Sequence, residues 1–246
     1  MKLSVVIPAY NEEGVIEETL NKLYNTLTEN SIDHEILVIN DSSRDSTLSI
    51  LEKVEQQLPT VRHITNEGPN GFGYAVRKGL TNFSGDCVAV FMADMSDDPN
   101  DLAVFYNLMK ATGCDAVFGT RWKNGGKVYD YPKHKLYINR MANYIIRVLF
   151  RIKYDDTTNA FKLYKRSTME GLQPFLSPHF NLTIELPLKV IIRGYSYKVL
   201  PNSWTNRKAG ESKLKIREMG TRYFFILMYC LIEKYFSKGD FKKKWD

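Results

Sequence analysis

The 246-residue sequence predicts an α/β fold, a mostly parallel central sheet with helices on both faces. Three observations predict it. Short apolar runs alternate with amphipathic stretches through the first half, the pattern of strand–helix–strand units. The apolar runs are nearly continuous, as strands covered on both faces require. Polar residues collect just after the runs, where parallel sheets gather their ligands.

In order, 3–7 reads as a strand and 12–29 as a helix, then 35–39 as a strand and 45–57 as a helix. A third strand at 62–65 leads through a glycine-rich turn into a helix at 73–82. A fourth strand at 87–92 precedes a helix at 98–111, and 116–119 is a fifth strand. The second half is less regular, with helices over 133–152, 182–193 and 216–236. This pattern predicts one domain over 1–214 and a helical, basic extension over 215–246.

Composition is that of an ordinary globular chain, 43% hydrophobic and 25% charged, which excludes disorder. The charge is uneven. From Thr205 to Asp246 eleven Lys/Arg face five acids, so this tail alone accounts for the formal +6. A basic end on a neutral body favours anionic partners. Cys87, Cys114 and Cys230 suit neither a disulfide frame nor a metal site and read as buried thiols. The opening apolar run meets Pro8 and then acids, unlike a signal peptide. The later run 223–232 would span about 15 Å as a helix, against roughly 30 Å of hydrocarbon.

Three polar clusters follow strands: Pro8-Ala9-Tyr10-Asn11-Glu12, Asn40-Asp41-Ser42-Ser43 and Ala93-Asp94-Met95-Ser96-Asp97-Asp98. Helix capping accounts for Asp45 and Asp98. It does not account for Glu12, Asp41 and Asp94 meeting at one sheet edge. The first turn lacks glycine, which excludes a dinucleotide-binding fingerprint, and no Walker A loop is present. The later Gly68-Pro69-Asn70-Gly71-Phe72-Gly73 suits either a flexible turn or close approach to a ligand. His34, His63, His134 and His179 are scattered, adjoin no nucleophile motif, and the first two are expected at the surface or a strand edge.

SVVIPAYNEE, VINDSSRDST, NEGPNGFGYAVRKGL, FGTRW, DDTTNAFKLYKR and NRKAGESKL together resemble the family 2 glycosyltransferases of GT-A fold, in particular the polyprenyl-phosphate (dolichol-phosphate mannose synthase-like) branch. The resemblance runs from Lys2 to about Leu214. It implies an inverting transfer of sugar from a GDP- or UDP-sugar to a polyprenyl phosphate, assisted by a divalent cation, Mg²⁺ or Mn²⁺. Pro8, Tyr10 and Glu12, with Ile39 and Asp41, would line the donor's base and ribose. Ala93 and Asp94 fall in the family's Asp-x-Asp motif, with Asp94 holding the metal and Ser96, Asp97 and Asp98 nearby as helpers. Arg121 would reach the donor phosphates. Arg207, Ser212 and Lys213 would close over the diphosphate and the acceptor phosphate. Lys135 and Asn139 occupy the acceptor-phosphate positions.

There is one departure: Met92 replaces the first acid of Asp-x-Asp, and a thioether is a poor ligand for Mg²⁺ or Mn²⁺. That substitution keeps two alternatives open, transfer to a saccharide hydroxyl and a non-catalytic nucleotide-sugar-binding relative. The apolar 216–236 helix suits a core or dimer contact nearly as well as a membrane interface; with the Arg140/Arg147/Arg151 stripe and Lys242-Lys243-Lys244-Trp245 it leads to the expectation of peripheral attachment to the anionic cytoplasmic face of a membrane. No nucleic-acid motif accompanies the basic tail.

Overall fold

The computed structural model describes residues 1–123, 125–206 and 216–243, with the backbone alone at 216–219. Four strand–helix units open the chain: β1 (Leu3–Ala9), α1 (Ile16–Glu29), β2 (His34–Asn40), α2 (Thr47–Gln57), β3 (Val61–Thr65), α3 (Phe72–Asn82), β4 (Cys87–Val90) and α4 (Pro99–Thr112). There follow β5 (Ala116–Thr120), β6 (Lys127–Tyr129), α5 (Lys133–Phe150), β7 (Lys162–Lys165), α6 (Arg166–Gly171), α7 (Leu182–Ile192), β8 (Tyr197–Pro201), β9 (Ser203–Thr205) and α8 (Ile216–Phe236). Among the described residues the main sheet runs β3-β2-β1-β4-β7-β5-β8. All its pairs are parallel except those that β7 makes with β4 and β5.

The alternation of β1 shows why these residues make a central strand. Leu3, Val5 and Ile7 enter one core layer with α1, α2 and α4, whereas Val6 enters the opposite layer with α3 and α7. A Cβ on Gly79 would lie 2.3 Å from Val6, so this glycine lets α3 sit close on β1. Asp98 caps α4 as expected, accepting from the Asn100 N–H at 3.0 Å, with Pro99 in the first turn. The thiols of Cys87, Cys114 and Cys230 are all free and buried.

Several expectations need correction. The first helix starts at Ile16 rather than residue 12, because 12–15 form a turn closed by Val15 N–H to Glu12 C=O. The fourth strand ends at Val90, freeing 91–98 as a loop. Strands β6–β9 and α6 had no clear pattern in the sequence. His34 is buried rather than at the surface, its ring bonded to the Ile32 carbonyl and the Thr60 hydroxyl.

The 216–236 helix is neither core throughout nor free. Ile226 and Cys230 pack with Ile146 and Phe150 of α5 and with Ile184 and Leu188 of α7. Buried Glu233 takes a two-pronged ion pair from Arg193 at 2.7 and 2.9 Å. Its other face leaves Phe224, Phe225, Met228, Ile232 and Phe236 exposed. No helix among the described residues is long and apolar enough to cross a membrane.

Candidate active site at the carboxyl edge of the sheet

The chain winds outward from β1 through β2 to β3, then crosses to β4 on the other side of β1. The carboxyl ends of β1 and β4 therefore flank the crevice where open α/β sheets bind ligands. The loops after β1, β2 and β4 each contain a non-glycine residue in the left-handed region: Asn11 (φ 53°), Ser42 (φ 58°) and Met95 (φ 58°). Such backbone persists only when surroundings over-determine it, and it concentrates at functional sites.

Those surroundings are cross-loop hydrogen bonds. Asn11 N–H donates to the Ser43 hydroxyl at 3.0 Å, and the Arg44 N–H donates to the Asn11 side chain at 2.8 Å. Glu12 N–H donates to Thr47 Oγ1 at 2.9 Å, and the Ser46 N–H to Glu13 at 2.9 Å. Asp45 takes N–H donors from Thr47 and Glu13; partial burial opposes its ionisation, yet these bonds hold its carboxyl below the usual range. Pro8 and Tyr10 stand half-buried at this edge.

Asp41 is buried and organises the glycine-rich turn. One carboxylate oxygen accepts from Asn66 Nδ2 at 2.7 Å and Asn70 Nδ2 at 3.2 Å, and the other from the Gly71 N–H at 2.7 Å. The Gly68–Gly73 segment is thus a turn fastened to the β2 edge. Gly73 has no room for a side chain, since a Cβ would lie 2.4 Å from Pro178. Ile39, near the end of β2, is buried in the layer beneath α3.

On the other side of the crevice Asp94 accepts from the Ser96 N–H at 3.1 Å, and Ala93 C=O accepts from Thr19 at 2.8 Å. Asp97, buried, accepts from the Met92 N–H at 3.2 Å. Burial, with the neighbouring Asp94 carboxylate, pushes Asp97 up to about 7. Asp97 stands close enough to Asp94 to feel its charge, and carboxylate oxygens suit Mg²⁺ or Mn²⁺. Among the described residues no group of three or more His, Cys, Asp or Glu is arranged to hold a metal unaided. Asp94 and Asp97 are the described acids that would hold a cation here. Asp97 enters here where only a helper role was expected.

The antiparallel strand explains the rest of the edge. Because β7 runs backwards, the segment before it, 154–161, arrives at the same carboxyl edge as Arg121. Arg121 Nε and a terminal nitrogen donate to Asp156 at 2.8 and 2.7 Å, and its backbone N–H to the same carboxylate at 2.9 Å. Burial works against the Arg121 charge and Asp156 outweighs it. Arg121 is thus at the site, with its guanidinium committed to Asp156. Asn139 is likewise committed, donating to Thr158 at 2.8 Å while Asn143 bonds both. Lys135 is half-exposed one turn earlier on α5. Arg207, Ser212 and Lys213 lie outside the described residues, as do Lys244 and Trp245.

Asp156 was missed as a site residue although its motif stood out, because nothing local shows that β7 reverses. Asn66 and Asn70 were missed for a similar reason. Their partner Asp41 is about 25–29 residues away.

The comparisons with known proteins agree with this geometry. The family model "Glycosyl transferase family 2" matches residues 4–172. A dolichol-phosphate mannosyltransferase of Pyrococcus furiosus is 30% identical over 219 residues, covering 87% of this chain and 60% of that protein. Glycosyltransferase AglD of Haloferax volcanii is 25% identical over 88% of this chain and 35% of that protein. The chain thus spans about a third to three-fifths of the length of these relatives. In fold it is similar to glucosyl-3-phosphoglycerate synthase from Mycobacterium tuberculosis, solved with UDP (TM-score 0.69, 18% identity, 94% of this chain and 80% of that one). The same synthase was also solved with Mn²⁺, UDP and phosphoglyceric acid (TM-score 0.70, 18% identity, 94% and 78%). The motif resemblance is borne out, and the chain belongs to glycosyl transferase family 2.

Proposed function

We propose that the protein transfers a sugar from a nucleotide-diphosphate sugar to a polyprenyl phosphate, with inversion at the sugar's C1. The observation that carries the acceptor half of this reading is the shape of α5. One side of that helix anchors to the site through Asn139 and Asn143. The opposite side leaves Tyr137, Met141, Tyr144 and Val148 exposed, Tyr137 by 73% and Tyr144 by 65%. A helix with its apolar side outward offers a lipid chain a path to the crevice. The 30% identical relative, named for a dolichol-phosphate substrate, supports the same reading.

The donor would lie across the β1–β4 crevice, its nucleoside toward Pro8, Tyr10, Glu12 and the Asp41-held turn. Asp94, with Asp97 beside it and Ser96 fixing its orientation, would hold a divalent cation, which neutralises charge on the departing diphosphate. Arg207 and Lys213 would add fixed positive charge there. Arg121, pinned by Asp156, serves as a rigid wall of the pocket. An acceptor phosphate oxygen then bonds to C1 as the bond from C1 to the diphosphate oxygen breaks. A phosphate monoester is largely ionised at pH 7, so the step needs no general base.

Exposed apolar side chains of α5 and α8, flanked by Arg140, Arg147 and Arg151, support contact with an anionic membrane surface. Co-sedimentation with anionic vesicles at moderate salt tests this, and failure to bind removes it. The reaction is tested by incubating UDP- and GDP-sugars with Mn²⁺ and either an isoprenyl phosphate or a saccharide. Label in a solvent-extractable sugar phosphate supports the reading. Label in the saccharide alone replaces it with the hydroxyl-acceptor alternative, and no label in either points to a non-catalytic relative.

A further inference from the structure

Beside Arg121 lies an aromatic cluster. Tyr131 meets Trp122 edge-on at 6.1 Å and tilts against Trp204 at 4.9 Å, between ring centroids. Trp204 pairs with Asp97 in a single β-bridge, so the cluster abuts the acidic side of the crevice. Two guanidiniums lie over the Trp122 ring, Arg121 at 5.0 Å and Arg140 at 5.3 Å.

The two arginines differ in what else they touch. Arg121 is buried and neutralised by Asp156. Arg140 is exposed and has no carboxylate partner among the described residues. Trp122 Nε1 is buried without an acceptor among those residues. One side of the crevice thus holds an oriented positive charge and an uncommitted N–H donor with no acid among the described residues to match them.

We propose that Arg140, held against the Trp122 indole, receives the phosphate of the acceptor, with Trp122 as its positioning residue. This rests on the lipid-phosphate reading given above. The expected contact, Asn139, spends its amide on Thr158. Arg140 is the next residue and carries the planar fork that matches phosphate oxygens. Stacking on an indole restricts a long side chain before the ligand arrives, which lowers the ordering entropy lost on binding. Position supports the same role. On the α5 helical wheel Arg140 falls between the anchored residues Asn139 and Asn143 and the outward residues Tyr137, Met141 and Tyr144. A phosphate gripped there leaves its hydrocarbon chain on the exposed apolar side. Half-exposed Lys135 supplies a second positive charge about one turn away.

The test uses a short-chain isoprenyl monophosphate that dissolves without a bilayer, so that membrane attachment does not limit the rate. Arg140→Gln should raise the acceptor KM about ten- to a hundred-fold, the effect of losing a charge-assisted contact, and change the donor KM by less than about two-fold. Arg140→Lys keeps the charge without the fork and should fall between. Trp122→Leu keeps both arginine charges but removes the ring that orients Arg140, and should also raise the acceptor KM. If the wild type uses this acceptor and Arg140→Gln shifts its KM by less than about two-fold, the inference is overturned. If the wild type transfers to no isoprenyl phosphate, the acceptor reading itself falls, and the inference with it.

Discussion

The two sides of the crevice are built differently. On the β1–β2 side polar groups are tied by cross-loop hydrogen bonds, Asn11 to Ser43 and Arg44, Glu12 to Thr47, Asp41 to the Gly71 turn. Beyond β4 buried ion pairs carry the structure: Arg121–Asp156 at 2.7 Å, Glu185–Lys189 at 2.6 Å and Arg193–Glu233 at 2.7 Å. Hydrogen-bonded loops can be pried open one contact at a time. A buried ion pair fails abruptly when one partner is lost, because the other charge is stranded. The contrast sets separately breakable loop contacts around the first side of the crevice against a rigid, ion-paired base under the second.

The largest effect is expected where the rigid side meets the site. Asp156→Ala would strand the buried Arg121 and should cost about 3–5 kcal/mol in denaturant unfolding, together with loss of transfer. Glu233→Ala strands Arg193 at a comparable cost, but it lies away from the crevice. Variant protein that remains folded should keep its turnover. If Glu233→Ala lowers turnover as much as Asp156→Ala, the division between support and site is wrong.

Asp94→Ala should do the reverse, lowering turnover about a hundred- to a thousand-fold while leaving the unfolding midpoint nearly unchanged. Full activity in that variant would remove the metal role.

Lys162 sharpens the comparison through pH. Burial pushes its ammonium down to about 7, against the pull of Asp156 and Asp97 and with the help of Arg121. Above its ordinary value of 10.5 neither folded nor unfolded amine is charged, and burial carries no penalty. As pH falls from there toward about 7 only the unfolded chain gains the proton, so stability drops, and below about 7 the loss levels off. Lys162→Met should remove this slope, seen as a weaker gain in Tm between pH 7 and 9 than the wild type shows. Equal gains would contradict the burial argument. The smallest effect is Asp98→Ala, which loses the α4 cap and should cost about 1 kcal/mol without touching donor KM.

How much of this was legible in the sequence follows the same divide. The first four strand–helix units were readable because each is local. An apolar run, a polar turn and an amphipathic stretch lie within about 30 residues, and the family motifs sit on those turns. The reversal of β7 was not readable, since KLYK carries no mark of direction. With it were lost the meeting of Arg121 with Asp156 and the insertion of β7 between β4 and β5. The burial of Ile39 was not readable for a related reason: the residue lies near the end of an apolar strand, and the pleat turns its side chain into the core. The two roles of the 216–236 helix became distinct only once Glu233 met Arg193, which lies 40 residues earlier.

The central claim, that the β1–β4 crevice takes a nucleoside diphosphate on a cation held by Asp94, is tested most directly by calorimetric titration. UDP and GDP would each be titrated into the wild type and Asp94→Asn, with and without Mn²⁺. The account predicts that one nucleotide binds the wild type strongly only with Mn²⁺, and that Asp94→Asn abolishes the Mn²⁺ enhancement. Binding that ignores Mn²⁺, or an enhancement that survives in Asp94→Asn, would contradict it.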